Sequence, residues 1–335
     1  MAQTIRDVAR EAGVSQATAA RALAGYGYVA EVTRRRVQEA ATAIGYQPND
    51  LARALVSGAT KTIGLVVGDI ENPFFATAAR GLADALEHEG YTLVLANSDE
   101  ELAREQRVVQ ALRQRLVDGL VVVPSSGDDG SHLAAIIADG RPVVLLDRAI
   151  EGLAADAVLV DNESGALAAM RHLIELGHRR IGIVSDSPGI ASTAERLAGC
   201  RAALGEAGIA WDDQLVSIGG SSQSDGYRTA RTLLTAARPP SAIFTLSNFM
   251  TAGTIRALRD LDLSMPVDVA LVGFDDLDWT TLVEPAISVV AQPVSELGQA
   301  VAERLLARLR GDRSAPVQIR LRTSLIVRQS CGGMS

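Results

Sequence analysis

The sequence is poor in the residues that build several common kinds of site. Only two of its 335 residues are cysteine and four are histidine. Cys200 and Cys331 lie far apart without ligand-like neighbours, so neither a disulfide framework nor a cysteine zinc site is expected. No apolar run approaches the roughly 18–20 residues of a membrane span, and the first residues lack an apolar segment behind a basic start. We therefore expect a folded cytoplasmic protein without a metal or an organic cofactor.

The charge of the chain is unevenly distributed. The formal net charge is −8, and 47% of the residues are hydrophobic, enough for two or three domains with large cores. Residues 1–60 hold seven Arg against five Asp and Glu, so this segment has a net charge of +2 and the rest about −10. Because each neutralised phosphate strengthens binding to DNA, +2 per chain is weak unless two chains act together. The distribution favours a dimer.

The first helices of the chain have recognisable boundaries. Thr4 and Asp7 have the spacing of a capping box, Gly13 ends the first helical pattern, and Ser15 can cap a second. The second pattern turns Ala19, Ala22 and Leu23 inward. It leaves solvent-facing positions from which a recognition helix contacts base edges, namely Gln16, Ala17, Thr18 and Arg21.

A third helix is predicted after a loop at 25–28. Thr33 can cap this helix, which would place Arg34, Arg35 and Arg36 in its first turn. Cations are mildly unfavourable at a helix N-terminus, so we expect phosphates outside the helix to need them. The alternative is an ordinary three-helix bundle.

A short amphipathic segment follows Pro48, which closes the head at residues 1–48. Residues 49–61 read NDLARALVSGATK, a segment below the ~12–15 residues that an isolated helix needs in water. It is either an ordinary linker or a hinge helix that forms when two copies meet on DNA.

From residue 62 the pattern changes to short apolar strands that alternate with amphipathic helices such as 76–90 and 165–177. Repeated strand–helix units indicate parallel sheets covered on both faces, and two such series indicate two similar lobes. The predicted strands are 63–69, 92–98, 119–125 and 142–148, then 181–186, 215–220, 242–248 and 269–276.

Polar residues follow these strands, where ligands of parallel sheets bind. Carboxylates, amides and arginine, with rings nearby, suit a small polyhydroxylated ligand, although any one of them can instead cap a helix. The residues are Asp69, Asn97, Ser125, Asp147, Arg148, Asp186, Asn248, Asp275 and Asp276, with Phe74 and Phe75 close by.

Nothing in the sequence indicates catalysis. Asp275 and Asp276 are adjacent, so their side chains diverge, and no catalytic triad, phosphate loop or metal-ligand spacing accompanies them. The four histidines are expected at the surface: His88, His132, His172 and His178. We expect a binding protein and not an enzyme.

Over essentially its whole length the chain resembles the lactose-repressor and galactose-repressor (LacI/GalR) family of bacterial transcription regulators. The motifs that carry the resemblance are 4-TIRDVAREAGVSQATAARAL-23, 45-GYQPNDLARAL-55, 71-ENPFF-75, 161-DNESG-165, 174-IELGHRRIGIVSD-186, 196-RLAGCRAAL-204 and 272-VGFDD-276 through Gln292-Pro293.

The resemblance implies a role for particular residues. Gln16, Ala17 and Arg21 would read the major groove, and Thr18 and Tyr28 would lie near the DNA backbone. Leu55 would wedge into the minor groove at the centre of a palindrome, flanked by Arg53. The positions that match effector contacts are Phe74, Phe75, Asp147, Arg148, Asp161, Ser192, Arg196, Asn248 and Asp275.

The resemblance also implies an architecture. An all-α helix–turn–helix head (1–48) and a hinge helix (49–61) would precede an α/β, two-lobed sensor like a periplasmic binding protein. Three chain crossings would place 62–159 with 290–317 in one lobe and 160–289 with 318–330 in the other.

The function implied is that of a repressor of carbohydrate-metabolism genes. A homodimer would bind palindromic operator DNA, and a sugar-like effector would release it. The chain ends without leucine heptads, which favours a dimer over a tetramer. The alternatives are a purine-responsive repressor, in which a corepressor strengthens DNA binding instead of releasing it, a non-regulatory sugar-binding receptor, and an enzyme with an appended DNA-binding head.

Ala20, Ala24 and Ala30 depart from the family pattern, because polar residues aimed at phosphates usually stand there.

Overall fold

The computed structural model describes residues 3–24, 27–46 and 59–332. The chain divides into two compact units, residues 1–61 and residues 62–335. No helix in the described ranges is long and apolar enough to cross a bilayer.

The described residues of the first unit form three helices: α1 (Ile5–Glu11), α2 (Gln16–Ala24) and α3 (Glu31–Ala43). The predicted capping box is confirmed, since the Thr4 N–H donates to Asp7 Oδ2 over 3.0 Å. Gly13 has φ +60°, a conformation that favours glycine and ends α1. Small side chains dominate the core, which consists of Val8, Ala9, Ala12, Ala19, Ala22, Val37, Ala40 and Ala41. Most of the predicted hinge segment, residues 49–58, lies outside the described residues.

The start predicted for α3 was wrong. The helix begins at Glu31, because the carbonyl of Ala30 accepts the N–H of Arg34 over 2.9 Å. Thr33 is therefore inside the helix, and Arg34 to Arg36 fall in its second turn. The field of the helix dipole falls off within the first turn, so it gives no reason for these arginines. The first turn carries the acidic Glu31 instead.

Two six-stranded sheets form the second unit. The first sheet has the order β11-β5-β4-β3-β1-β2, and the second has the order β12-β10-β9-β8-β6-β7. The strands of the first sheet are β1 (Thr62–Val67), β2 (Thr92–Asn97), β3 (Gly119–Val122), β4 (Val143–Asp147), β5 (Asp156–Val160) and β11 (Gln318–Leu321). Those of the second are β6 (Ile181–Ser185), β7 (Val216–Ile218), β8 (Ala242–Thr245), β9 (Ala270–Phe274), β10 (Ser288–Ala291) and β12 (Ser324–Ile326). Every neighbouring pair is parallel except β10 and β12.

Eight helices cover the sheets in the described part of this unit. They are α4 (Pro73–Glu87), α5 (Leu102–Gln114), α6 (Ser131–Ala138), α7 (Asn162–Glu175), α8 (Ala191–Glu206), α9 (Gln223–Leu234), α10 (Asn248–Asp260) and α11 (Val294–Leu309). Each sheet has a buried apolar core on both faces. The predicted fold class, an all-α head followed by two α/β lobes with parallel sheets, is confirmed.

The chain crosses between the sheets three times, after β5, after β10 and between β11 and β12. The third crossing differs from the expected one, which assigned residues 318–330 to the second lobe. Gln318–Leu321 pairs in parallel with β5 and so belongs to the first sheet. Buried Asp156 at the start of β5 accepts the N–H of Val317 over 2.8 Å and a two-pronged hydrogen bond from Arg308, which fixes β11 there.

Candidate functional sites: a helix surface and an interlobe cleft

One face of α2 is accessible. Ser15 Oγ accepts the N–H of Thr18 over 3.1 Å, which confirms the predicted cap. Ala19 and Ala22 are buried, so the opposite face of the helix remains at the surface. Gln16, Ala17 and Arg21 lie on this exposed face.

Other residues of the predicted DNA-binding set have different surroundings. Thr18 is half-buried and its hydroxyl bonds to Ser15 Oγ over 2.8 Å. Tyr28 is 92% exposed, which is unusual for a tyrosine without a partner molecule. Arg35 forms an exposed ion pair with Glu39, so part of the positive charge of α3 is already paired. Arg53 and Leu55 lie outside the described residues.

The loops that follow the strands of both sheets line a cavity of about 530 Å³. Its lining is Asp69, Ile70, Glu71, Asn72, Phe75, Asn97, Asp99, Glu100, Arg148, Asp186, Ile190, Ser221, Ser247 and Phe249. A neighbouring cavity shares Arg148 and also includes Asp147 and Ser192. Asn248 Nδ2 donates to Asn72 Oδ1 over 2.9 Å and thereby joins the two lobes. The two cavities and this bond define the interlobe cleft.

Two aspartates occupy equivalent places in the lobes. Asp147 ends β4 and Asp275 follows β9, and each strand is the fourth of its sheet when counted from β2 or β7. Both residues have a left-handed backbone, with φ +68° and +77°. Such a conformation costs a residue other than glycine about 1–3 kcal/mol and clusters at functional sites.

The two carboxylates have different partners. Asp275 Oδ2 accepts from the backbone N–H and from Nδ2 of Asn248 over 3.1 and 2.9 Å, and Oδ1 accepts from Gln292. Asp147 Oδ2 lies 3.4 Å from Arg148 Nε, whereas Asp147 Oδ1 is buried without a hydrogen-bond partner among the described residues. Burial raises the pKa of Asp147, against the opposing charges of Arg148 and Arg196. Asp147 therefore has an acceptor to offer a ligand.

Both arginines of the predicted effector set are engaged within the protein. Arg148 forms a two-pronged ion pair with Glu100, with Nη2 2.8 Å from Oε1, and also donates to the carbonyl of Pro124. Burial lowers the pKa of Arg148, but Glu100 outweighs it and the net shift is upward. Arg196 donates to Asn162 Oδ1 and to the carbonyl of Leu246 over 2.8 and 2.6 Å. Its guanidinium also stacks 3.7 Å from the ring centre of Phe274.

The remaining predicted effector residues divide into lining and structural groups. Phe74 and Phe75 pack edge to face at the start of α4, with ring centres 5.2 Å apart. Phe75 lines the cleft cavity of about 530 Å³, whereas Phe74 lines a separate cavity of about 300 Å³ beside Asp275. Asp161 caps α7 by accepting the N–H of Ser164 over 3.2 Å, and neither cleft cavity includes it.

Sequence reasoning missed several lining residues. Asn72 caps α4 just before Pro73, and this Asn-Pro pair is a helix-start signal that could have placed it at the cleft. Ser247 and Phe249 flank the predicted Asn248. Glu100 gave no signal, because its partner Arg148 is 48 residues away in the sequence.

The expectation of surface histidines was wrong for His132. Its side chain is 11% exposed, and Nε2 lies 2.7 Å from Oε1 of buried Glu105. Glu105 Oε2 also accepts the N–H of Ser125, so the pair fixes the loop after β3. The described residues contain no cluster of side chains arranged to hold a metal ion.

Comparisons with known proteins bear on both sites. Residues 4–49 match the model of the bacterial regulatory proteins of the lacI family, and residues 170–331 match that of a periplasmic binding protein-like domain. The HTH-type transcriptional regulator PtxS of Pseudomonas putida is 36% identical over 331 residues, covering 98% of this chain and 95% of that protein. GalR of Escherichia coli K12 is 34% identical and covers 91% of this chain and 88% of its own length.

Solved structures agree with these relatives. The CelR–cellobiose complex has a TM-score of 0.75 at 32% identity, with 98% of this chain and 99% of that chain covered. The lac repressor dimer bound to operator and the anti-inducer ONPF has a TM-score of 0.88 at 24% identity, with 99% of both chains covered, and it shows the fold. This chain therefore belongs to the lacI family of bacterial regulatory proteins and is a ligand-responsive, DNA-binding transcriptional regulator.

Proposed function

We propose that this regulator represses genes of carbohydrate metabolism and that a small sugar or sugar derivative releases it from DNA. The observation that carries the proposal is the interlobe cleft. Asp147, whose Oδ1 has no partner among the described residues, lines one of its cavities, and the ring of Phe75 lines the other, so the cleft offers an acceptor and an apolar face. Hydroxyl groups donate to carboxylates, and rings cover the apolar faces of sugars.

The names of relatives support a sugar effector. The ribose operon repressor of Haemophilus influenzae is 31% identical over 327 residues. A LacI-family regulator of Enterococcus faecium was solved with bound ribose and is 30% identical to this chain.

The DNA complex is proposed to contain a homodimer on a palindromic operator. The net charge of +2 in residues 1–60 supports this, because one chain would neutralise few phosphates. In each copy Gln16, Ala17 and Arg21 contact bases, and Thr18 and Tyr28 lie near phosphates. Arg53 and Leu55 act in the minor groove. Such a regulator works in the cytoplasm beside the chromosome and returns its ligand unchanged.

The effector acts by changing the relative arrangement of the two lobes. The Asn248–Asn72 bond joins the lobes directly, so a ligand that alters it changes the relative stability of two arrangements. A difference of about 1–3 kcal/mol in effector affinity between the arrangements changes operator affinity by about 5–150-fold. Residues 49–61 carry this change to the head as a hinge.

A purine corepressor is the second candidate. PurR of Photobacterium profundum is 31% identical over 328 residues, and the rings of Phe75 and Phe249 both line the cleft. Aromatic rings stack on a purine. This candidate predicts tighter operator binding when the ligand is present.

Selection of bound duplexes from a random DNA pool tests the proposal. The purified protein without ligand is expected to enrich an inverted repeat, and sugars are expected to release that duplex. Enrichment that requires a purine would support the second candidate. Enrichment of single half-sites would contradict the dimer.

Arg21→Ala is the variant for the same assay. The guanidinium suits a bidentate contact to guanine, so its loss is expected to cost about 1–3 kcal/mol and to relax the preference at one base pair per half-site. Arg35→Ala is the matched control, since Arg35 is exposed and paired with Glu39. An unchanged sequence preference for Arg21→Ala would place Arg21 outside the groove.

A further inference from the structure

The arginine of the effector cleft is occupied by a glutamate of the same lobe. Both terminal nitrogens of Arg148 donate to the two oxygens of Glu100, and Nη1 donates also to the carbonyl of Pro124. The Arg148 side chain is 7% exposed and that of Glu100 is 22% exposed. A two-pronged pair of this kind is among the stronger hydrogen-bonded contacts in proteins. An incoming carboxylate or phosphate would therefore have to displace Glu100.

The position of Glu100 is built into the local fold. Asp99 and Glu100 both have a left-handed backbone, with φ +54° and +56°, and the N–H of Glu100 donates to the carbonyl of Gly68 over 3.1 Å. A side chain at residue 68 would collide with the carboxylate of Glu100. The glycine at the end of β1 thus leaves room for Glu100 to reach Arg148. The left-handed turn at residues 99–100 and the close approach of Gly68 together fix the position of the Glu100 side chain.

The surrounding charge is strongly negative. Five carboxylates and one guanidinium line the cleft cavity of about 530 Å³. The guanidinium of Arg196 does not serve as a second anion-binding group. It donates to Asn162 and to the carbonyl of Leu246 and stacks on the ring of Phe274. Like charges repel one another more strongly in a partly buried cavity than in bulk water. The other arginine among the described lining residues of the cleft, Arg320, pairs with Glu195. An anionic ligand would therefore meet this repulsion without an unpaired lining arginine to offset it.

We propose that Glu100 is a specificity residue that occupies Arg148 and thereby excludes anionic effectors, so that the cleft takes an uncharged polyhydroxylated molecule and rejects sugar acids and sugar phosphates. The choice of sugar chemistry rests on the proposed function. The exclusion of anions rests on the Glu100–Arg148 pair alone. The two parts can therefore be tested separately.

Inorganic phosphate is the probe for the exclusion of anions. Glu100→Gln keeps the size of the side chain and an oxygen for Arg148 but removes the charge. We expect this variant to bind phosphate at least about tenfold more tightly than the wild type in calorimetry. Arg148→Gln added to Glu100→Gln should abolish the gain. Equal phosphate affinity in the wild type and Glu100→Gln would overturn the proposal.

Glu101→Gln is the matched control. It makes the same change of charge at the adjacent residue, which is exposed and does not line the cleft. Its phosphate affinity should equal that of the wild type. A gain as large as that of Glu100→Gln would mean that net charge, and not occupation of Arg148, excludes anions, which would also overturn the proposal.

Uncharged sugars and their anionic derivatives test the effector class. Glucose, gluconate and glucose 6-phosphate, with the corresponding ribose set, are titrated against the wild type and Glu100→Gln. Within each set the uncharged sugar should bind the wild type more tightly than its anionic derivatives do. This difference in affinity should be smaller for Glu100→Gln. Tighter binding of an anionic member to the wild type would overturn the proposal. If none of the uncharged sugars binds, the sugar effector of the proposed function fails, while the phosphate experiment still decides the role of Glu100.

Discussion

Asp147 and Asp275 have the same place and backbone conformation in their lobes, yet only Asp147 keeps an oxygen without a hydrogen-bond partner among the described residues. Asp275 uses both oxygens to hold Asn248 and Gln292. Asp147 keeps one buried oxygen without a partner among the residues described. We therefore propose that Asp147 is the ligand acceptor and that Asp275 positions the residues around the cleft.

Effector affinity should depend on the charge of Asp147. Because burial raises the pKa of this carboxyl, protonation occurs at a higher pH than for an exposed aspartate. An effector hydroxyl donates to the charged form, so we expect affinity to be constant above the raised pKa and to fall as the pH drops through it. Titration calorimetry across this range measures the effect. Asp147→Asn should flatten the profile, and a profile that stays steep in this variant would assign the dependence to another group.

Asp275→Ala is expected to abolish the response to effector and to leave operator affinity within about twofold. The change leaves Asn248 without the acceptor that orders it, and Asn248 makes the bond to Asn72 across the cleft. Operator release by effector, followed by fluorescence anisotropy, is the measurement. Asp276→Asn is the control, because Asp276 pairs with Arg328 on the exposed side. A normal response of Asp275→Ala would remove this residue from the cleft network.

At the scale of elements, glycines set how closely helices approach. A Cβ at Gly298 of α11 would collide with the carbonyl of Ala78 in α4, and a Cβ at Gly81 of α4 would collide with the carbonyl of Ser295. The first turn of α4 carries Phe74 and Phe75. The packing of α4 against α11 therefore affects the position of these rings.

Gly298→Ala should lower the free energy of unfolding by about 1–3 kcal/mol, since backbone atoms have to move to admit the methyl group. Chemical denaturation measures the loss. Gly205→Ala is the control, because Gly205 lies near the end of α8 with open space around it and alanine favours a helix. An equal free energy of unfolding for Gly298→Ala and the wild type would mean that α4 and α11 can move apart to admit the methyl group without loss of stability.

The sequence predicted eight of the twelve strands in the described residues, and β5, β10, β11 and β12 were missed. β1, β4 and β9 are buried over most of their length, so almost every residue is apolar and the pattern is plain. β11 and β12 are short edge strands without a buried residue, and no long apolar run marks them. The strand-end rule found Asp147, Arg148 and Asn248 because ligands bind where strands end.

The rest of the cleft depends on contacts that have no local signal. Asn72 and Asn248 are 176 residues apart and Glu100 and Arg148 are 48 apart, so neither pair has a spacing that a sequence pattern reports. The same holds for Arg196, which was predicted as an effector contact from its motif. Its engagement with Asn162 and Phe274 arises only when α7, α8 and β9 pack together.

At the scale of the whole molecule, DNA binding and ligand binding are predicted to separate by mutation. Leu55→Ala should weaken operator binding at least about tenfold while effector affinity and the unfolding transition of the sensor stay unchanged, since a lost apolar wedge leaves the DNA less bent. Anisotropy with operator DNA and calorimetry with effector measure the two activities. Leu51→Ala is a comparison within the same predicted helix. Operator affinity equal to that of the wild type would remove Leu55 from the minor groove.

The position of β11 has a consequence for synthesis of the chain. This strand completes the first sheet, yet it comes from residues 318–321, after all of the second lobe except β12. During translation the residues of the head leave the ribosome first. The first sheet lacks its edge strand until translation is almost finished. Nascent chains that stall before residue 318 would thus carry a finished DNA-binding head joined to an open sheet edge, which invites pairing with other nascent chains.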